Sequence, residues 1–411
     1  MKVLTVNSTY KEFSTGKIIN DIETELAPLG YSFVHCYEFG DKHGDNNAYR
    51  LSGNIEFRVY YKMARFIGLQ YGMIGFSNLR LLYRIWKEKP DIVHIHCPNA
   101  LSINLYKLLN YLKKRKIRTI ITNHAEFFYT GNCAHANECS GYLTGCKKCE
   151  IFKEAGKSLL FNRTAEAWLK MKRAFADYKY LRMVAVSPWA EDRLSGSTIC
   201  KHLPHCTILN GIDTEKVFYP RDSEEGNCYK QRQEQKILLH VTSRFTDDDS
   251  DPKGGIYLLK LAQYFQEMHL DYKFLIVGPC CLKKNYDYLE NISFLGYLND
   301  QVQLAGLYSM ADLTIVTSKR ETFGLSCVES MCCGTPVVGF MSGGTESIAL
   351  QEYSEFVEFG DVEKLKSLVV DWSDKKPDMT SEIARTAARL YSKKTMAENY
   401  RKLYEELIHE E

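Results

Sequence analysis

Glu321 and Glu329 stand eight positions apart in the run Thr317-Ser-Lys-Arg-Glu-Thr-Phe-Gly-Leu-Ser-Cys-Val-Glu-Ser-Met-Cys-Cys-Gly-Thr-Pro336. The apolar, β-branched stretch Asp312–Ser318 predicts a strand, and Leu325–Cys333 predicts a short helix that Gly334 stops before Pro336. At a helix start the first backbone amides have no partner inside the helix. Those of Gly324, Leu325 and Ser326 therefore form an anion site suited to a diphosphate. Glu329, one turn inside, can accept hydrogen bonds from both hydroxyls of a ribose. Glu321, ahead of the helix, falls beyond the phosphates, where a sugar would sit.

Other residues fit the same chemistry. Ile237–Arg244 reads as a strand ending in a cation, and Lys253-Gly-Gly255 opens the next helix. Two cations beside a helix start can hold a diphosphate and stabilise it as it departs. The acidic run Asp247–Asp251 between them reads as a solvated loop. His124 follows the strand Thr119–Thr122 and lies at a strand carboxyl end, whereas His94 and His96 read as packing histidines. Gly16 is expected in the loop between the first strand and the first helix. No Gly-x-Gly-x-x-Gly follows Val6, so a nicotinamide dinucleotide site is poorly supported.

Elements must position these residues. Strands at Val3–Val6, Ser32–Cys36, Ile92–His96, Thr119–Thr122 and Met183–Val186 alternate with helices near Lys17–Ala27, Ser77–Lys87, Leu101–Lys114 and Thr164–Phe175. The pattern repeats after residue 236, which predicts two Rossmann-like α/β domains, 1–205 and 206–390, with a ligand where strand carboxyl ends face each other. The polar stretch 221–235 reads as a surface loop of the second domain.

The chain has 411 residues, 45% hydrophobic and 25% charged, with a net charge of +2. That length suits two cores, and that charge argues for neither nucleic acid nor membrane as a global partner. The N-terminus reads as a strand, its apolar stretch too short for a signal peptide, so a cytoplasmic location is expected. Four of the 14 cysteines, Cys133, Cys139, Cys146 and Cys149, fall within seventeen residues of a loop spanning 127–155. Their spacing suits one structural zinc, with two disulfides or free thiols as alternatives. Arg50–Lys89 carries eight Lys/Arg against two Glu, and Leu101–Arg118 carries six with no acid. With interleaved aromatics, this is either a solvated face over a core-facing stripe or a surface that docks on anionic lipid. No recognition motif points to nucleic acid.

Glu-x7-Glu with Phe323-Gly-Leu-Ser326 inside it and Gly334-Thr-Pro-Val-Val after it resembles the retaining glycosyltransferases of GT-B fold, family 4 (glycosyl transferases group 1). Pro90–His96, Val186-Ser-Pro188, Asn210-Gly-Ile-Asp213 and Lys253-Gly254 follow in family order. The resemblance implies two domains facing across a cleft, with the last helix, 391–411, crossing back to the first. It implies a nucleoside-diphosphate sugar donor held by Gly16, Arg244, Lys253, Phe323, Gly324, Leu325, Ser326 and Glu329. Glu321 and His124 would act at the donor sugar. No catalytic metal is expected, and the acceptor would be a glycan or lipid-linked hydroxyl, as in surface-polysaccharide synthesis at the inner face of a membrane. A sugar phosphorylase of the same fold and a non-catalytic nucleotide-sugar-binding protein are the alternatives.

Overall fold

The computed structural model describes residues 1–410 except 43, 74, 148, 222–228, 230, 231 and 233. Much of the expected loop 221–235 therefore lies outside the described residues. The chain divides into two compact units, Met1–Gly211 with Lys393–Glu411, and Ile212–Ser392.

In the first unit, seven parallel strands run β1 (Lys2–Asn7), β2 (Ser32–Tyr37), β3 (Ala48–Arg50), β4 (Ile92–Ile95), β5 (Arg118–Asn123), β6 (Leu181–Ala185) and β7 (His205–Thr207). Their order is β3-β2-β1-β4-β5-β6-β7, so the winding reverses between β1 and β4. The helices are α1 (Phe13–Leu26), α2 (Asn54–Ile67), α3 (Phe76–Glu88), α4 (Leu105–Lys114), α5 (Gly141–Thr144), α6 (Thr164–Phe175) and α7 (Pro188–Gly196). Strands buried on both faces need continuous apolar runs, and β1 and β4 supply them with Val3, Leu4, Val6, Ile92, Val93 and Ile95.

The second unit has β8 (Lys236–Val241), β9 (Tyr272–Val277), β10 (Ile292–Gly296), β11 (Leu313–Val316), β12 (Val337–Phe340) and β13 (Ser354–Val357), in the order β10-β9-β8-β11-β12-β13. Its helices are α8 (Gly255–Glu267), α9 (Gln301–Met310), α10 (Leu325–Cys332), α11 (Gly344–Ile348), α12 (Val362–Ser373) and α13 (Lys376–Tyr391). The winding reverses between β8 and β11, where Leu313 pairs with Leu238. In open α/β sheets a ligand binds outside strand carboxyl ends at such a reversal.

The final helix, α14 (Lys393–His409), belongs to the first unit. Tyr400, Leu403, Tyr404 and Leu407 pack on Val3, Ile22, Ile92 and Ile120. Burying each such leucine is worth about 1.5–3 kcal/mol. The two phenols also close a buried network, Tyr404 to His94 Nδ1 at 2.7 Å and Tyr400 to Thr122 Oγ1 at 2.9 Å.

Several elements differ from expectation. α1 begins at Phe13, so Gly16 lies in the first helical turn and not in the preceding loop. Thr15 is drawn into that turn because its hydroxyl accepts from Asn7 Nδ2 at 3.1 Å. Strands β3 and β13, only three and four residues long, and helix α2 were not expected.

Candidate active site

The loops after β8 and β11 are joined to each other by hydrogen bonds. Lys319 N donates to Pro252 O at 2.7 Å, and Thr317 Oγ1 donates to Lys253 O at 3.0 Å. Gly254, at φ 69°, makes this possible: a Cβ there would lie 2.2 Å from Thr317 O. The result brings Lys253 Nζ to 2.6 Å from Glu321 Oε1, with both side chains partly exposed.

Asp251 organises the cations. It is buried and pairs with Arg244 Nη2 at 2.6 Å. It also accepts from Lys253 N at 2.9 Å and Thr246 Oγ1 at 3.3 Å. The Arg244 side chain as a whole is 56% exposed. The acidic run is therefore only partly solvated: Asp249 and Ser250 are exposed, whereas Asp251 is buried. Asp247 accepts from the amides of Lys283 and Lys284 at 2.9 and 3.0 Å, and Asp248 pairs with Lys283 Nζ at 2.6 Å. These hydrogen bonds hold both carboxyls below the usual range, that of Asp248 chiefly through Lys283 and that of Asp247 through the amides.

Gly324 caps α10 at φ 91°, and a Cβ there would meet Thr345 Oγ1 at 2.5 Å. Leu325 and Ser326 follow, partly exposed, in the first turn. Phe323, expected at the ligand, is only 3% exposed and sets its ring edge-on to Tyr391 at 6.3 Å. It anchors the loop from the core side. Glu329, partly buried, accepts from Tyr308 on α9 at 3.0 Å. Burial, then the adjacent carboxylate, pushes that phenol well above its usual value, so it stays a donor.

Sequence reasoning missed Ser342–Gly344. Glu321 N donates to Ser342 O at 3.0 Å and Gly344 N donates to Glu321 O at 2.8 Å, so this loop fixes the backbone that carries Glu321. A Cβ on Gly344 would lie 2.3 Å from Thr322 C. The paired glycines followed by Glu346, which accepts from the amides of Ser342 and Gly343, were the available signal.

In the first unit, His124 sits just past β5 with Nε2 3.2 Å from His96 Nδ1, the rings stacked at 5.5 Å. Burial depresses the pKa of both rings, so each is neutral at pH 7 and one donates to the other. His96 Nε2 is buried with no hydrogen-bond partner among the described residues. His94 is a packing residue, satisfied by Tyr404 and Thr122. Gly16 packs under the β1–α1 loop, where a Cβ would lie 3.1 Å from Lys11 N and 3.3 Å from Thr9 Oγ1. It makes room for the backbone of residues 9–11.

The segment after β5 is pinned by Glu126, fully buried, which pairs with Arg193 and accepts from Ala136 N at 2.6 Å. Cys133, Cys139, Cys146 and Cys149 beyond it are free thiols. Burial first, then the other three cysteines, raises the Cys133 thiol, and burial raises Cys146 to about 11. Gly141 N donates to Cys139 Sγ at 3.4 Å. The thiols sit within one another's electrostatic reach. Among the described residues, however, no three His, Cys, Asp or Glu side chains gather closely enough to hold a metal ion.

Residues 19–216 match the family described as Glycosyltransferase Family 4, and residues 230–390 match Glycosyl transferases group 1. The putative colanic acid biosynthesis glycosyl transferase WcaC of Escherichia coli K12 is 22% identical, over 81% of each chain. N-acetyl-alpha-D-glucosaminyl L-malate synthase of Bacillus anthracis is 31% identical over 34% of this chain, and the match spans only 37% of that relative's length. The structure of Anabaena Alr3699/HepE in complex with UDP-glucose superposes with a TM-score of 0.63 at 15% identity, covering 99% of this chain and 100% of the other.

Proposed function

The chain belongs to the glycosyl transferases of group 1, with the GT-B fold, and on that premise we propose that it uses a nucleoside-diphosphate sugar and retains the anomeric configuration. The observation that carries this reading is the Lys253–Glu321 contact at the β8/β11 reversal, beside the capped start of α10. A diphosphate lies against the amides of Gly324, Leu325 and Ser326, with Arg244 and Lys253 taking up its charge. Glu329 holds the ribose, and Glu321 positions the sugar. For His124 the resemblance implies contact with the donor sugar, and its neutral ring offers a hydrogen bond and no charge.

In the transfer step the bond from the anomeric carbon to the diphosphate oxygen breaks. An acceptor hydroxyl forms the new bond on the face the diphosphate leaves, and its proton passes to the departing diphosphate. The cations and the helix start stabilise the charge that develops on the leaving oxygen. No step is assigned to a metal. Proton NMR of the first product formed from an α-linked donor should show an α anomer. A β anomer would overturn retention while leaving the donor class intact.

The acceptor in this reading is a glycan or lipid-linked hydroxyl, consistent with the colanic acid biosynthesis in the name of the E. coli relative. A location at the inner face of the membrane belongs to the same reading. No helix among the described residues is long and apolar enough to cross a membrane. The first unit instead presents two amphipathic helices with their apolar stripes outward: Ile55, Val59, Met63 and Phe66 on α2, and Phe76, Leu79, Tyr83 and Trp86 on α3. Ile55 is 81% and Trp86 61% exposed, so these apolar residues form an outward face beside the buried one that Ala64, Leu81 and Ile85 supply. Arg58, Lys62, Arg65, Arg80, Arg84 and Lys87 flank it, which suits an interfacial helix on anionic lipid. The chain should sediment with anionic vesicles more than with neutral ones, and salt should release part of it because exposed charge is screened. Equal sedimentation with both would favour a solvated face.

Structural zinc on Cys133, Cys139, Cys146 and Cys149 is part of the proposal. Their spacing and the amide donated to Cys139 Sγ support it. Elemental analysis of protein purified without chelator should find one zinc per chain. Four freely titratable thiols with no zinc would remove it.

A further inference from the structure

At the edge of the first sheet, between β3 and α3, lies a cavity of about 410 Å³. Four cations line it, Lys42, Arg50, Arg80 and Arg84, together with the rings of Tyr49 and Tyr83, and among the described residues no carboxylate lines it. The site is built. Arg84 lies 3.5 Å over the Tyr49 ring, a stacking that fixes the guanidinium plane. Arg80 Nη1 donates to Leu51 O at 2.6 Å and pairs with Glu56, also at 2.6 Å. Arg84 is 3.7 Å from Glu88. These two acids offset two of the four charges from outside the cavity wall.

The remaining two cations are Arg50 and Lys42. Arg50 reaches Asn54 with Nη2, yet its Nε is buried without a hydrogen-bond partner. Closed off from solvent, that Nε does not face the cavity, which Arg50 lines with the rest of its side chain. Lys42 is exposed. Planar guanidinium forks match phosphate oxygens, and tyrosine rings give an apolar wall for the group that bears the phosphate. The volume suits a small molecule or headgroup and is too small for a folded peptide.

We propose that this cavity binds a phosphate ester, separately from the donor nucleotide of the second unit. Two sources share that chemistry: a lipid headgroup, reached where Tyr83 of the exposed α3 stripe joins the cavity wall, and a soluble phosphorylated molecule.

The test uses the full chain and two probes, glycerol 3-phosphate by calorimetry and phosphatidylcholine vesicles with or without phosphatidic acid by sedimentation. Arg50→Gln/Arg84→Gln should weaken binding of at least one probe about tenfold, the size of one lost charge-assisted hydrogen bond. Loss confined to phosphatidic acid vesicles assigns a lipid headgroup. Loss confined to glycerol 3-phosphate assigns a soluble ester, and loss of both assigns the shared phosphate alone. A control, Lys107→Gln/Lys114→Gln, removes two exposed charges from α4 and should change neither probe more than about twofold. If the double arginine variant melts early, Lys42→Gln, on an exposed side chain, carries the test with a smaller loss. Unchanged binding of both probes, or an equal loss in the α4 control, overturns the proposal.

Discussion

Glu321→Gln is expected to lower turnover by about 10²–10³-fold while a nucleoside diphosphate still binds within a few-fold of the unaltered chain. The substitution keeps shape and hydrogen-bonding capacity and removes one charge. In the structure that charge sits 2.6 Å from Lys253 Nζ, on a backbone held by Ser342 O and Gly344 N. Its loss should therefore leave the loop in place. The diphosphate site should not suffer, because the contacts proposed for it are the α10 amides, Arg244 and Lys253. Freed from Glu321, Lys253 can only attract phosphate more strongly. The signature is a fall in kcat without a matching rise in the dissociation constant for UDP or GDP. A parallel loss of both would mean that Glu321 acts through the fold.

Glu329→Ala should do the opposite, weakening nucleotide binding by about 10–100-fold, as expected when hydrogen bonds to a charged group are removed. Glu329 already accepts from Tyr308 at 3.0 Å, and a carboxylate can accept further hydrogen bonds, a ribose hydroxyl among them. Tyr308→Phe serves as the control. It deletes the phenol and leaves the carboxylate, so affinity should fall by much less. If both variants lost affinity equally, Glu329 would be acting through Tyr308 and not on the ribose.

Part of this site was legible because local rules decide it. The strand β11, the capped start of α10 and Gly334 after it follow from β-branched runs and glycine placement, and they set Glu321 and Glu329 on either side of the helix start. Alternating strands and helices likewise announced two parallel sheets. What was hidden depends on contacts between segments far apart in sequence. Asp251 belongs to a run whose composition says solvent, and only its partners Arg244 and Thr246 show that it is a buried anchor. Ser342–Gly344 matters because it touches Glu321, which periodicity cannot reveal. Phe323 lies within the ligand motif but turns to the core, a choice made by Tyr391. The stripes of α2 and α3 have the period of a core-facing helix, and nothing local says that no partner covers them. The cysteine spacing suggested a metal site, and the folded segment sets the four thiols within one another's electrostatic reach.

The central claim is that the second unit is a nucleoside-diphosphate site whose two glutamates have separate tasks. Calorimetric titration of UDP and of GDP into the unaltered chain, Glu321→Gln and Glu329→Ala tests it most directly. The account predicts that one of the two nucleotides binds the unaltered chain, that Glu321→Gln binds it within a few-fold, and that Glu329→Ala binds it about 10–100-fold more weakly. Binding of neither nucleotide, or an equal loss in both variants, would contradict it.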